Sequence, residues 1–349
     1  MRDLLLDLLV APGDHGALTL EDARRKDGRI AEGTLAAADG HRYPVVDGIP
    51  RFVRTADEGQ LQTADSFGFK WGKVESYDSG PMAETSRAWQ IERYGFDSAT
   101  AVREAFAAHE LVLDAGCGSG FSSSLWLDDG WTGEWVGADI SGAIDVAHSR
   151  IGHLRGTHFV QADVLDLPFA DGSFGAVFTE GVLHHTPSTE RAFHAVARLL
   201  RPGGELFAYI YRKKAPVREF TDDYVRSLVA PMSPDEAWEA LRPLTRLGQA
   251  LAELNVEIDV PEDVPLLGIT AGRQDVQRLV YWNFAKLFWN PTWSFEENVH
   301  INFDWYHPTY AHRHTEEEIR GWCADAGLEV LRLHDQEPAA YTIRARRRA

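Results

Sequence analysis

Cysteine is nearly missing from this chain of 349 residues: Cys117 and Cys323 are the only two, and they lie far apart in sequence. Neither a disulfide framework nor a zinc site of cysteines can be assembled from them, and a reducing compartment is the expectation. Basic residues are in deficit too, 35 against 53 acidic ones, for a formal net charge of −18. Such a surface repels phosphate backbones and anionic lipid, so neither nucleic acid nor membrane is the expected partner. The one basic cluster, "RARRRA" at the end, reads as a solvated tail after a last strand. Long apolar runs are absent as well. No stretch reaches the ~18 residues of a membrane span, and the opening "MRDLLLDLLVAPGD" carries Asp3 and Asp7 and lacks a small-residue cleavage site. No signal peptide is read, and a cytoplasmic address follows by default. What is plentiful is core material: 44% apolar and 11% aromatic residues, ample for roughly two folded domains.

The chain divides by pattern. Residues 1–54 are short apolar runs broken by Gly, Pro and Asp, ending in "YPVVDGIPRFV", which predicts a small β-rich module. Residues 55–109 have helical spacing in "AETSRAWQIERYGF" and "SATAVREAFAAHE" and form a lead-in. From 110 to 211 strands and helices alternate. Strands are expected at "LVLDA", "EWVGAD", "THFVQAD", "FGAVFTE" and "ELFAYIY", with helices after Gly120, after Ser141 and over "STERAFHAVARLL". That alternation predicts an α/β fold, a parallel sheet with helices on both faces. Over 212–313 it stops in favour of helical, aromatic-rich sequence. At 314–349 it resumes: Thr315 and Glu318 make a capping box, Gly327 closes the helix, and "LEVLRLH" and "AAYTIRAR" are the last strands.

The stretch "LVLDAGCGSG" holds glycines at 116, 118 and 120 behind an acid, Asp114. A dinucleotide fingerprint would need glycine at 121, which is Phe, and a phosphate loop would need Lys before Ser or Thr. A carboxylate beside the turn repels pyrophosphate and suits an ammonium or sulfonium. A cationic nucleoside without phosphate is therefore favoured. "VGADIS" places Asp139 at the next strand end, where an acid accepts hydrogen bonds from ribose hydroxyls, and "VQADVLDLPF" places Asp163 at a third, suited to an adenine amino group.

With these motifs in order, together with "FGAVFTEGVLHH" and "LLRPGGELFAYIY", residues 111–211 resemble the class I S-adenosylmethionine-dependent methyltransferases of small-molecule type. The resemblance implies a Rossmann-like sheet and S-adenosyl-L-methionine as cofactor. It also implies roles: Asp114 and the backbone of Ala115, Gly116 and Gly118 toward the methionine end, Asp139 on the ribose and Ile140 packing on adenine. Asp163 and Val164 would take the adenine edge, and Glu180 and Gly181 would lie where the fourth strand approaches the cofactor. Gly175 departs from the family, which usually has an acid there; only local packing is put in doubt. Residues 4–53 resemble the short zinc-ribbon family that accompanies methyltransferases, but its cysteines fall at Ala11, Asp14, Ala36 and Asp39. Asp14, His15, Asp39 and His41 could supply only a weak site, so a module without metal, serving as a wall, is expected. Trp71 and Tyr77 are candidates to cover the cofactor.

Residues 212–313 form the expected cap. Eleven aromatics lie between Tyr281 and Tyr310, a composition suited to a flat or apolar acceptor, with Trp305, Tyr306 and His307 as candidate substrate contacts. His184 and His185 follow the fourth strand and are the candidates for a general base toward an acceptor hydroxyl. His300, His307, His312 and His314 match no standard metal spacing. The function expected is methyl transfer to a small molecule, a sugar or natural-product scaffold, at oxygen, with nitrogen and carbon open. A non-methylating enzyme on the same fold and a noncatalytic methyltransferase partner are the alternatives.

Overall fold

Turn formers divide the N-terminal segment of the computed structural model, which describes residues 1–336 and 339–349, into a short helix and a meander. The helix is α1 (Asp3–Leu8); the strands β1 (Leu18–Lys26), β2 (Arg29–Ala37), β3 (Arg42–Val46) and β4 (Ile49–Pro50) pair antiparallel in sequence order. Two-residue Asp27-Gly28 and Asp47-Gly48 turns close two of the hairpins, the dipeptide that such turns favour. Helices α2 (Glu58–Gly72), α3 (Gly80–Tyr94) and α4 (Ala99–Ala107) follow, their first free N–H groups accepted by the side chains of Asp57, Ser79 and Ser98.

The alternating region gives β5 (Leu111–Ala115), α5 (Phe121–Ser124), β6 (Glu134–Asp139), α6 (Ala143–Ile151), β7 (Thr157–Gln161), β8 (Phe174–Glu180), α7 (Thr189–Ala197) and β9 (Leu200–Tyr211). The insertion contributes α8 (Pro216–Val229), α9 (Pro234–Glu253), a two-stranded ribbon of β10 (Glu257–Val260) and β11 (Gly272–Asp275), then α10 (Val276–Asn283) and α11 (Phe295–Tyr306). Capping boxes at Ser233 and Ser294 start α9 and α11. The chain closes with α12 (Glu316–Asp325), β12 (Leu328–Gln336) and β13 (Ala340–Arg347).

Seven strands form the main sheet in the order β12-β13-β9-β8-β5-β6-β7. The pairs from β9 to β7 are parallel, and β13 runs antiparallel to both its neighbours. Side chains of β5 alternate between two cores, as a pleated strand requires. Val112 faces Phe106 of α4 and Ile144 of α6, while Leu113 faces Phe193 of α7 and Trp322 of α12. The sheet thus carries helices on both faces, the Rossmann-like α/β architecture expected. Two details differ from the sequence reading. The helix after Gly120 is a single turn, Phe121–Ser124, and farther on Asp128 accepts from the Gly130 N–H at 2.9 Å in a turn ahead of β6. Strand β9 begins ahead of its apolar run, at Leu200 opposite Phe174, and then shifts register so that Glu205 faces Ala176.

The N-terminal module is fused to this sheet rather than appended. Leu5, Ile30, Leu35, Tyr43 and Phe52 share one core with Val160, Phe169 and Leu183, and the Phe52 N–H donates to Gln161 O at the end of β7 at 2.7 Å. Asp39 pairs with His41 at 2.7 Å and Asp14 accepts from the Gly16 N–H at 2.9 Å. Among the described residues no group of three or more His, Cys, Asp or Glu is placed to hold a metal ion, and no helix is long and apolar enough to cross a membrane. Because the core is shared, Leu5→Ala should cost about 2–5 kcal/mol. Far-UV dichroism and tryptophan fluorescence should then report one common denaturant midpoint, moved down; a module that melts alone while the sheet stays put would contradict this.

Candidate active site

At the end of β5, an interior strand of the sheet, the chain turns with almost no room. Gly116 (φ +82°) and Gly118 (φ +52°) are left-handed; a Cβ at Gly116 would stand 2.3 Å from Val182 Cγ1, and one at Gly118 2.6 Å from Trp71 Nε1. The Gly116 and Cys117 N–H groups donate to Ala138 O at 2.7 and 3.0 Å. The Gly118 N–H donates to Asp139 Oδ2 at 2.8 Å, and Asp139 Oδ1 accepts from the Ser141 N–H at 2.8 Å and Oγ at 2.6 Å. Burial nonetheless raises the Asp139 carboxyl above its ordinary range.

A cavity of about 440 Å³ opens beyond this turn, at the carboxyl ends of parallel strands where ligands of such sheets bind. Gly116, Asp139, Ile140, Asp163, Val164, Glu180 and Gly181 line it, as do Trp71 and Tyr77. Asp163 Oδ1 accepts from the Leu165 N–H at 2.9 Å. Glu180 accepts from Tyr94 Oη at 2.6 Å and pairs with Arg93 at 3.0 Å. Three of the expected cofactor residues stand behind the wall. Asp114 shares the Val112 face of β5 and accepts from Ser123 Oγ; burial pushes its carboxyl up to about 7. Ala115 is in the opposite core, and Gly118 contributes the backbone bond to Asp139.

The two histidines separate. His185 lines the cavity and His184 is not among the lining residues. The His184 ring is fully buried and stacks on Tyr211 with centroids 3.6 Å apart, Nδ1 accepting from the Tyr211 N–H at 3.3 Å. His185 Nδ1 lies 2.6 Å from Tyr310 O, so that nitrogen carries the proton and donates. Nε2 is then left with its lone pair, buried and without a hydrogen-bond partner among the described residues. Burial pushes the His185 imidazole down to about 4, with Asp304 opposing.

The cap residues also divide. Trp305 lines the cavity and its Nε1–H donates to Asp222 Oδ2 at 2.8 Å. Tyr306 and His307 do not line it. The Tyr306 hydroxyl donates to Asp222 Oδ1 at 2.9 Å, and the His307 ring sits between Ser66 Oγ, 2.8 Å from Nδ1, and Met232 O, 3.2 Å from Nε2. Successive residues of a helix point about 100° apart, so three in a row cannot share one face. The face that α11 presents is His300, Ile301, Asp304 and Trp305.

Sequence reasoning missed the charged heart of the cavity. Lys70 of α2 pairs with Asp304 of α11, whose other oxygen accepts from Tyr211 Oη at 3.1 Å. Burial works to raise the Asp304 carboxyl, and Lys70, His185 and Lys286 overcome it, holding the group well below the usual carboxylate range. Nothing in the spacing signals this pair, whose members are 234 residues apart. Asp304→Asn should leave Lys70 buried without a counter-charge and destabilise the fold by about 3 kcal/mol or more, while the apolar double variant Lys70→Met/Asp304→Leu should recover most of that loss. Urea unfolding of the three proteins measures it; a neutral Asp304→Asn would contradict the pairing.

Residues 113–208 match the family model described as a methyltransferase domain. The chain is 34% identical over 145 residues to Methyltransferase GfsG of Streptomyces halstedii, covering 39% of this chain and 47% of that protein. It is 34% identical over 113 residues to a Mus musculus protein named "Probable tRNA methyltransferase 9B", covering 32% of this chain and 24% of that one. Among solved structures, the S-adenosylmethionine-bound magnesium protoporphyrin IX methyltransferase of Synechocystis PCC 6803 aligns with a TM-score of 0.43 at 15% identity, covering 84% of this chain and 100% of that one. The match takes in less than half of either of the two curated relatives. The matched segment carries the glycine turn and the strand-end acids Asp114, Asp139 and Asp163, so it is over residues 113–208 that the chain is similar to a methyltransferase domain, and S-adenosylmethionine is the cofactor such a domain takes.

Proposed function

We propose that the chain methylates a small molecule, a sugar or natural-product scaffold, at a hydroxyl oxygen. The observation that carries this reading is that the strand-end acids and the cap share one cavity. Asp139, Asp163 and Glu180 line it together with Tyr281, Asp304 and Trp305, and its volume of about 440 Å³ is in the range of small-molecule sites. An aromatic-walled acceptor space and a net charge of −18 both favour a small acceptor over a nucleic acid. Residues 1–54 serve as a wall, a zinc-ribbon-like module that has replaced its metal with packing, and 212–313 select the acceptor. The two free, buried cysteines fit a reducing, cytoplasmic setting.

The donor set fits the cofactor. Asp139 retains acceptor capacity for ribose hydroxyls, Asp163 and Val164 offer an adenine edge with Ile140 packing beside it, and the Gly116 to Gly118 turn backs the methionine end, with Asp114 behind it and Glu180 and Gly181 beside it. S-adenosylmethionine, when bound, supplies an electrophilic methyl group on a sulfonium. His185 does the proton work: Tyr310 O fixes its tautomer, and Nε2 accepts the proton of the acceptor hydroxyl. His184, stacked on Tyr211, holds the turn on which His185 sits.

The neutral imidazole is the active form. The fraction in that form grows as the pH rises through about 4, so above that value kcat/KM should be level as far as His185 is concerned and should fall only toward more acid solution. His185→Gln should lower turnover on the order of 10²- to 10⁴-fold and leave S-adenosylhomocysteine affinity intact. Steady-state rates across pH on the identified acceptor, with binding by calorimetry, measure both; near-normal turnover in the variant would place the base elsewhere.

A further inference from the structure

On the cap side of the cavity stands a lysine that makes no ion pair among the described residues. Lys286 is only 7% exposed, lines the cavity and lies with Nζ 4.5 Å from the centroid of the Trp305 ring. Among the described residues its Nζ makes no ion pair and no hydrogen bond. The nearby carboxylates are already engaged. Asp222 takes the Arg218 Nε–H at 2.6 Å, the Trp305 Nε1–H, the Tyr306 hydroxyl and the Lys286 backbone N–H at 3.3 Å. Asp304 takes Lys70 and Tyr211. Arg278, at the exposed edge of the same cavity, also has no ion pair among the described residues, its guanidinium lying 5.5 Å from the centroid of the Tyr281 ring.

An indole face offsets only part of what it costs to take an ammonium out of water. Burial accordingly pushes the Lys286 ammonium down to about 7, Asp304 opposing and Arg218 adding to the effect. A charge-assisted hydrogen bond to an anionic group would offset that cost. The cofactor brings a carboxylate of its own, but Lys286 belongs to the cap. The charges acting most strongly on it are Asp304, Arg218, Asp222 and Lys70, none of them at the strand ends.

We propose that the acceptor carries an anionic group, a carboxylate or phosphate oxygen, which Lys286 binds directly, with Arg278 at the edge of the same cavity. This rests on the small-molecule reading above and narrows its substrate class to acidic acceptors that present a ring to Trp305 and Tyr281. Arg218, held by Asp222 and by Tyr281 O, fixes the surrounding wall.

Calorimetry on the full chain loaded with S-adenosylhomocysteine tests it, with 4-hydroxybenzoate and its neutral amide, 4-hydroxybenzamide, as probes. The acid should bind at least about tenfold more tightly than the amide, the difference expected of one charge-assisted hydrogen bond. Lys286→Gln and Lys286→Met should each abolish that preference, and Lys286→Arg should retain part of it. Two neutral variants are used because either one alone could fail to fold. Equal affinities for acid and amide, a preference that survives in the neutral variants, or no binding of either probe at millimolar concentration overturns the assignment. So does a loss of S-adenosylhomocysteine affinity in the neutral variants matching the loss for the acid, since the ammonium would then serve the cofactor's own carboxylate. Failure of the cofactor reading registers separately, as absence of S-adenosylhomocysteine binding by the unaltered protein.

Discussion

The carboxylate of Asp139 ties the site together. One oxygen takes the Gly118 N–H and the other takes Ser141 through backbone and side chain, so a single side chain at the end of β6 fixes both the turn after β5 and the start of the segment leading to α6. Two left-handed glycines allow that approach, and Val182 and Trp71 fill the space their missing Cβ atoms leave. The parallel register brings Asp139 opposite Gln161 and Glu180 opposite Tyr209, so acids from different strands converge on one space. Burial of such acids is unfavourable, as the raised carboxyls of Asp139 and Asp163 record. A hydroxyl-rich, cationic ligand relieves that cost.

What the sequence disclosed follows from the range of the physics involved. Strands β5, β6 and β8 lie on the quoted apolar runs because each is a local pattern bounded by turn formers. Thr315 and Glu318 mark α12 for the same reason, since a capping box is written within four residues. Orientation was less legible. His184 and His185 are adjacent in one short 3₁₀ turn, in which neighbours point about 120° apart, and no local feature says which of them meets the cavity. Likewise Trp305 was identified beside Tyr306 and His307, although the helix that carries them sends the latter two to Asp222 and Ser66.

The charged interior of the cap was illegible for a different reason. Lys70, Asp304 and Tyr211 come from three separate parts of the chain and meet only after the insertion has folded over the sheet. Aromatic density between Tyr281 and Tyr310 suggested an apolar pocket, and the walls are indeed aromatic. Lysines nevertheless lie against those walls, Lys70 4.0 Å from the Trp71 centroid and Lys286 4.5 Å from that of Trp305. Cation–π contact lets a cation shelter among rings that, read from composition, imply only hydrophobic burial.

In the function proposed above, Asp139 holds the nucleoside of S-adenosylmethionine at the strand ends. Titration calorimetry of S-adenosylhomocysteine into the unaltered protein and into Asp139→Ala tests it most directly, with reduced nicotinamide dinucleotide as the comparison ligand. Binding should fall by about a hundredfold or more in the variant, the equivalent of two hydrogen bonds to a charged group at roughly 1.5–3 kcal/mol each, and the dinucleotide should bind more weakly throughout. Unchanged affinity in Asp139→Ala, or tighter binding of the dinucleotide, would contradict it.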